Sequence, residues 1–390
     1  MMFNTILAAF LAVSAGLTAT PQPGTPSGSE GVKAGVSPAS KAVSDAAAFT
    51  AFKAKIVYLG NGTSLENGVV LVQDGIIVKV GKDLEIPAGA GIVDHDGALS
   101  AGLIALHSND GAGGELNDTT RTVMPDAEAR FAFDPKHPEL REALEAGITS
   151  IVLCPSSSRL IGGQTAVVKT SGGVIVKPNA QLSLGLSSAA LSYNEFPTSY
   201  SGALGELNAQ FSDPKGAVSR AVAGSLPVLM DVNDRAETMR AIAFAKKYKL
   251  RGAMYGSYWA EDVVVAIKES GFDVICTPFD VGDNQRGARS VAALAAAGVR
   301  IGFGLDSPAR HPASLRFGAA MCVRQGLAAD SARKALTGDA ADIVGAGNRI
   351  GKIARGSDAD IVLWSGDPVA LSSSIKAVYI EGKQVFGGSK

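Results

Sequence analysis

Between residues 53 and 81 the chain reads as short β-branched runs broken by turn residues. "KIVYL", "GVVLVQ" and "IIVKVG" are strand-length. Asp74-Gly75 separates the last two, and that pair tolerates the positive φ of a tight hairpin turn. The far end repeats the pattern: "GKIARGSDADIVLWSGDP" and "IKAVYIEGKQVFGG" are strands joined by Gly and Asp turns. Two all-β ends around a different middle predict one small composite β-sandwich, built from residues 50–98 and 350–390.

The middle alternates. "PELREALEAG" reads as a helix and "ITSIVLC" as a strand. The order continues with "LPVLMDV" as a strand and "RAETMRAIAFAKKYKL" as a helix, with Met239, Ile242 and Ala243 on one face. "RGAMYG", "FDVICTP" and "VRIGFGLD" are further strands; "YWAEDVVVAIKESG", "RSVAALAAAG" and "SLRFGAAMCVRQG" are helices. Alternation with buried apolar strands argues for a parallel sheet. The repeat of about 22–28 residues suits the units of a (β/α)8 TIM barrel, predicted over residues 99–349. A doubly wound open sheet is the competing arrangement, but "GAGGEL" at 111–116 lacks the third glycine of a dinucleotide fingerprint.

Composition sharpens this α/β picture. The 390 residues are 46% hydrophobic and 19% charged, enough apolar material for a large core. Net charge is −1, with no long basic run, so nucleic acid is not an expected partner. A small-molecule substrate is, and a homo-oligomer remains open. Residues 1–19 resemble a secretory signal, with an apolar, small-residue-rich Ile6–Ala19 run but no Lys or Arg before it. Export is therefore expected, to the periplasm or the medium, with no membrane span once the signal is removed. Residues 20–48, rich in Pro, Gly, Ser and Ala, read as a flexible linker. Cys154, Cys276 and Cys322 sit in core-like runs and read as free buried thiols.

In a barrel, chemistry collects just past the C-terminal ends of the strands. Those positions hold His107 and Asn109, Cys154–Ser158, Asp231, Tyr255–Ser257 and Asp306, with Arg310 and His311 close behind. Asp231 suits either a ligand or a cap for the following helix. Asp306 suits a general base or an ion pair with Arg310. Gln164, in the Gly162-Gly163-Gln164 loop, suits a pocket rim, and Tyr255, Arg310 and His311 are candidate substrate contacts.

"AGLIALHS", "REALEAGITSIVLCPSSSRLIGGQTAVVKTSGG", "GVRIGFGLDSP" and "GLAADSARKALTGDAADIVGAGNRIGKIARGSDADIVLWSGDP" together resemble the amidohydrolase superfamily, in its imidazolonepropionase-like and prolidase-like branch. The resemblance implies a barrel whose mouth holds one or two divalent metals. It implies ligands from a His-x-His pair on the first strand, a Lys or Glu on the third or fourth, a histidine on each of the next two, and a final aspartate. Here His107 matches the first histidine and Asn109 stands at the second. Asp231 and Tyr255–Ser257 stand where the later histidines are expected, and Asp306 matches the aspartate. The resemblance thus leaves a reduced mononuclear site of His107, Asn109 and Asp231, for zinc or another divalent ion, with Asp306 as base. Two functions follow: hydrolysis of an amide or cyclic amide, or a non-catalytic relative that binds a ligand or pairs with an active homologue.

Overall fold

The computed structural model describes residues 49–118, 120–279, 285–306 and 309–388. The expected signal and linker over 1–48 lie outside them.

Four strands open the described chain: β1 (Phe49–Tyr58), β2 (Ser64–Gln73), β3 (Ile76–Lys82) and β4 (Gly91–Ala101). Asp74 and Gly75 join β2 to β3 with φ of 51° and 79°, the left-handed turn that the Asp-Gly pair predicts. The barrel strands follow: β5 (Leu103–Ser108), β6 (Ile148–Leu153), β7 (Ile161–Gln164), β8 (Ala166–Lys169), β9 (Ile175–Lys177), β10 (Leu182–Gly185), β11 (Val228–Asp231), β12 (Gly252–Tyr255), β13 (Asp273–Cys276) and β14 (Ile301–Phe303). The chain ends in β15 (Ile361–Trp364), β16 (Ile375–Ile380) and β17 (Lys383–Gly387). The helices are α1 (Glu139–Glu145), α2 (Tyr200–Ser212), α3 (Gly216–Val222), α4 (Arg235–Tyr248), α5 (Val264–Ser270), α6 (Gln285–Ala296), α7 (Ser314–Arg324), α8 (Ala329–Leu336) and α9 (Gly338–Ile343).

Both chain ends do build one β-domain, but its strands pair in a single seven-stranded sheet, ordered β17-β16-β15-β4-β1-β2-β3, rather than in two sheets. The sheet curls so that Phe52, Val70 and Ile77 from one half share a core with Ile361, Ala377 and Tyr379 from the other. The Phe52 and Tyr379 rings meet edge to face at 4.8 Å.

The barrel runs β5-β6-β8/β7-β10-β11-β12-β13-β14, and a parallel bridge between Leu106 and Gly304 closes it. Its third position departs from the pattern. β8 pairs antiparallel with β6, and β7 pairs antiparallel with β10. The connection over 154–160 is too short for a helical crossover, so the strand returns from the mouth towards the floor. The expected Gly-Gly-Gln loop is therefore part of strand β7. The other barrel strands alternate as anticipated. Leu229, Ala253 and Ile275 fill the interior with Ile104, Leu106 and Val152, while Val228 and Met230 face the helices.

Helix α4 starts where Asp234 accepts the Glu237 N–H at 2.7 Å, and the Glu237 carboxylate reaches back to the Asn233 N–H at 2.6 Å. Asp234 thus caps the helix, and Glu237 satisfies the N–H of the residue just before the cap. Its buried face differs from the expected one: Ala241, Phe244 and Ala245 pack inward, whereas Met239 is 43% exposed. Phe244 packs into the core against Phe211, and on the same face the buried Glu237 carboxylate accepts bonds from the Ser188 N–H and the Tyr200 hydroxyl.

At the barrel floor, Lys169 at the end of β8 is fully buried. Its Nζ lies 2.7 Å from Asp358, 3.2 Å from Asp360 and 2.9 Å from Glu381, all in the C-terminal part of the chain, and Arg349 also pairs with Asp358. The reversed strand is thus tied to the β-domain by charge.

Candidate active site at the barrel mouth

Alternation along β5 puts Ile104 and Leu106 inside the barrel and Leu103 and Ala105 outside. Continued, it would turn His107 outward. His107 instead adopts φ +55°, and its imidazole swings over the mouth. Asp306 has the same left-handed φ of +55°. Such a conformation costs a non-glycine residue roughly 1–2 kcal/mol and concentrates at functional sites. Barrel closure holds both in place. The Leu305 N–H donates to Leu106 O at 2.9 Å, and the Asp306 N–H donates to His107 O at 2.8 Å.

The side chains then meet. His107 Nδ1 lies 3.6 Å from Asp306 Oδ1, with the imidazole side chain 11% exposed and the carboxylate 52% exposed. Tyr255, at the end of β12, lies flat on the His107 ring, with centroids 3.8 Å apart and planes 5° from parallel. Asp231 ends β11 directly beside Tyr255 in register. It is only 6% exposed, and its Oδ1 has no hydrogen-bond partner. The three groups the sequence nominated for one mouth therefore share it, with Tyr255 between them.

Burial governs the electrostatics. It pushes the His107 imidazole down to about 4, against the pull of Asp306, so the ring is neutral near pH 7. It pushes Asp231 up to about 6; the Ser187 and Ser157 hydroxyls oppose this, and the Glu237 and Asp306 charges add to it. Tyr255 is held protonated by burial and by the same two aspartates, with Arg310 acting the other way. Burial, with Asp231, also raises the Cys154 thiol, which makes it a poor nucleophile.

The remaining nominated residues are placed as follows. In the orientation that satisfies its amide, Asn109 Nδ2 donates to Ser108 O at 3.1 Å and Cys154 O at 2.9 Å, tying the two strand ends together. The Gln164 amide is taken up by Pro125 O and by Arg220, at 3.2 and 2.6 Å. It thereby braces the segment after β5 against α3. His311 is exposed, and its Nδ1 accepts the Ala313 N–H at the start of α7. Arg310 stands near Tyr255. Asp231 is not the helix cap, since Asp234 fills that role. Ser157 falls in the strand-end stretch 154–158 that the sequence singles out; Glu237, whose Asp-x-x-Glu spacing is visible, and Ser187, which carries no sequence signal, do not.

Among the described residues, no group of three or more His, Cys, Asp and Glu side chains is arranged to hold a metal ion. A zinc-type site takes about three protein ligands. The described residues do not fit the divalent ion that the family resemblance implies.

A barrel with polar side chains at its strand ends, joined to a β-domain made from both termini, defines a (β/α)8-type architecture. The amidohydrolase family model matches residues 235–385. An amidohydrolase from Thermotoga maritima MSB8 has the same fold, with a TM-score of 0.76 and 25% identity over 87% of this chain and all of that one. A. niger ochratoxinase superposes at TM-score 0.56 and 17% identity, covering 88% of this chain and 97% of that one. A curated relative, amidohydrolase TasK of Hapsidospora irregularis, is 22% identical over 82% of this chain. This chain spans 40% of that relative's length. The matched family model and these neighbours make the chain similar to amidohydrolases in its C-terminal part and in overall fold.

Proposed function

We propose that this protein is a hydrolase of a non-peptide carbon–nitrogen bond, in an amide or cyclic amide. The observation that carries the reading is the His107–Asp306 pair, locked by barrel closure at the mouth with Asp231 beside it. In this reading Asp306, half exposed, takes a proton from a water whose oxygen adds to the substrate carbonyl carbon. The tetrahedral adduct collapses, the C–N bond breaks, and the nitrogen leaves with a proton from Asp231. A carboxyl near 6 is poised to give that proton close to neutral pH. Solvent exchange returns the proton from Asp306 to Asp231. Neutral His107, flat against Tyr255, orients the pair.

The test is a panel of N-acyl and cyclic amides, followed by amine release, with wild type and Asp306→Asn side by side. Turnover abolished by the substitution supports the reading. Release from no amide, or turnover that survives in Asp306→Asn, would overturn it.

A second reading, a non-catalytic relative that binds a small ligand, is favoured by the Tyr255 ring covering His107 and by the ligand set at the mouth. Saturable ligand binding without turnover would select it. The Ile6–Ala19 run supports export in either case.

A further inference from the structure

We propose that the barrel mouth binds the ammonium group of a small amine-bearing ligand, between Asp231 and Asp306, at the position where the family resemblance implies a metal ion. This deepens the reading of the mouth as the substrate site by naming one recognition element of its ligand.

The argument starts from an unsatisfied atom. Asp231 projects into the barrel, because Leu229 two residues earlier lies in the interior core and Met230 lies outside. It is 6% exposed, yet Oδ1 has no hydrogen-bond partner. A buried carboxylate oxygen without a donor is costly and strongly favours whatever donor reaches it. Neighbouring strands carry the mouth round from there. Asp231 is in register with Tyr255, Tyr255 stacks on His107, and His107 lies 3.6 Å from Asp306.

The charges acting on Tyr255 and Asp231 include the carboxylates of Asp231, Asp306 and Glu237 and the Arg310 cation. Carboxylate therefore outweighs cation. Neutral His107 Nδ1 also lacks a partner and adds an acceptor or donor as its tautomer requires. An ammonium offers three N–H donors and a positive charge in a volume little larger than water. In this proposal its donors are shared between the Asp231 oxygen and Asp306. A divalent ion needs more anionic and imidazole ligands than converge here.

The probe is n-butylammonium chloride, with n-butanol as the neutral isostere and ZnCl2 as the competing ion, each titrated calorimetrically into the full chain at pH 8. The expected result is one saturable site for n-butylammonium, no saturable site for n-butanol, and at least tenfold weaker amine binding in Asp231→Asn and in Asp306→Asn. Asp306 is half exposed, so its variant keeps the test valid if Asp231→Asn fails to fold. Absence of saturable amine binding, amine binding unchanged in Asp306→Asn, or one-to-one zinc binding lost in the same variants would each overturn the proposal. Because binding is read without turnover, the two readings separate. A protein that binds the amine but hydrolyses no amide loses only the hydrolase assignment; one that hydrolyses amides without binding the amine loses only this one.

Discussion

The main-chain N–H of Asp306 donates to the carbonyl of His107 at 2.8 Å, and both residues carry a left-handed φ of +55°. Closing the barrel and setting the candidate site are thus one structural event. The bond that joins the last strand to the first also aims the two side chains at each other across the mouth.

Asp306→Asn keeps the shape of the side chain and removes the proton acceptor. If the mouth hydrolyses amides, kcat/KM should fall by about 10²–10⁴-fold, with the melting temperature nearly unchanged. Steady-state kinetics paired with a thermal melt check this, because a fall in both would indicate misfolding rather than lost chemistry.

The stability profile between pH 4 and 6.5 should contain two opposing contributions. His107 is depressed to about 4, so the unfolded chain takes up its proton first and stability falls as pH drops from 6.5 towards 4. Asp231 is raised to about 6, so the folded chain takes up its proton first and gains stability over the fall from 6 towards 3.8. His107→Gln should therefore flatten the acid loss, by about 3 kcal/mol as an order of magnitude, and Asp231→Asn should steepen it. Urea melts at a series of pH values read both signs. A parallel shift of all three profiles would contradict the assignment.

Lys169→Met should be among the most destabilising single changes. It leaves Asp358 and Asp360 buried, with only Arg349 in direct contact with Asp358. Removing one partner of a buried charge network costs about 3–5 kcal/mol. Glu381→Gln, at the more exposed edge of the same network, should cost less. Chemical denaturation of both variants gives the order.

Gly304→Ala tests how tightly the mouth is packed. A Cβ there would stand 2.9 Å from Tyr255 Cε2 and 3.2 Å from Cys276 O. The Tyr255 ring would have to slide from His107, at a cost of about 1–3 kcal/mol. A crystal structure or near-ultraviolet circular dichroism would register the displaced stack; an unchanged spectrum with full stability would show the contact to be slack.

Expression with the N-terminal segment intact should release a shortened chain outside the cytoplasm. Intact-mass measurement is expected to show loss of the residues up to Ala15 or Ala19, whereas a full-length mass in the cytoplasm would refute export.

Much of this architecture was legible in the chain because it rests on local rules. The Asp74-Gly75 hairpin, the β-branched ends and the strand–helix alternation follow from turn chemistry and side-chain period. So did the nomination of His107, Asp231 and Asp306, since strand ends can be located from the apolar runs before them. Other features depend on groups distant in sequence. The reversed third strand reflects what a short connection can span, and the single curled sheet reflects how the two termini pair. The face that α4 buries packs against α2 and bonds to residues 188 and 200, and Gln164 was claimed by Arg220. The Tyr255 ring on His107 and the unsatisfied oxygen of Asp231 exist only once the strands have closed. The sequence by itself determined which residues stand at the strand ends, because that is a matter of period and turn. Only the tertiary structure decided what those residues face, because facing depends on barrel closure, desolvation and competition for partners across the whole fold.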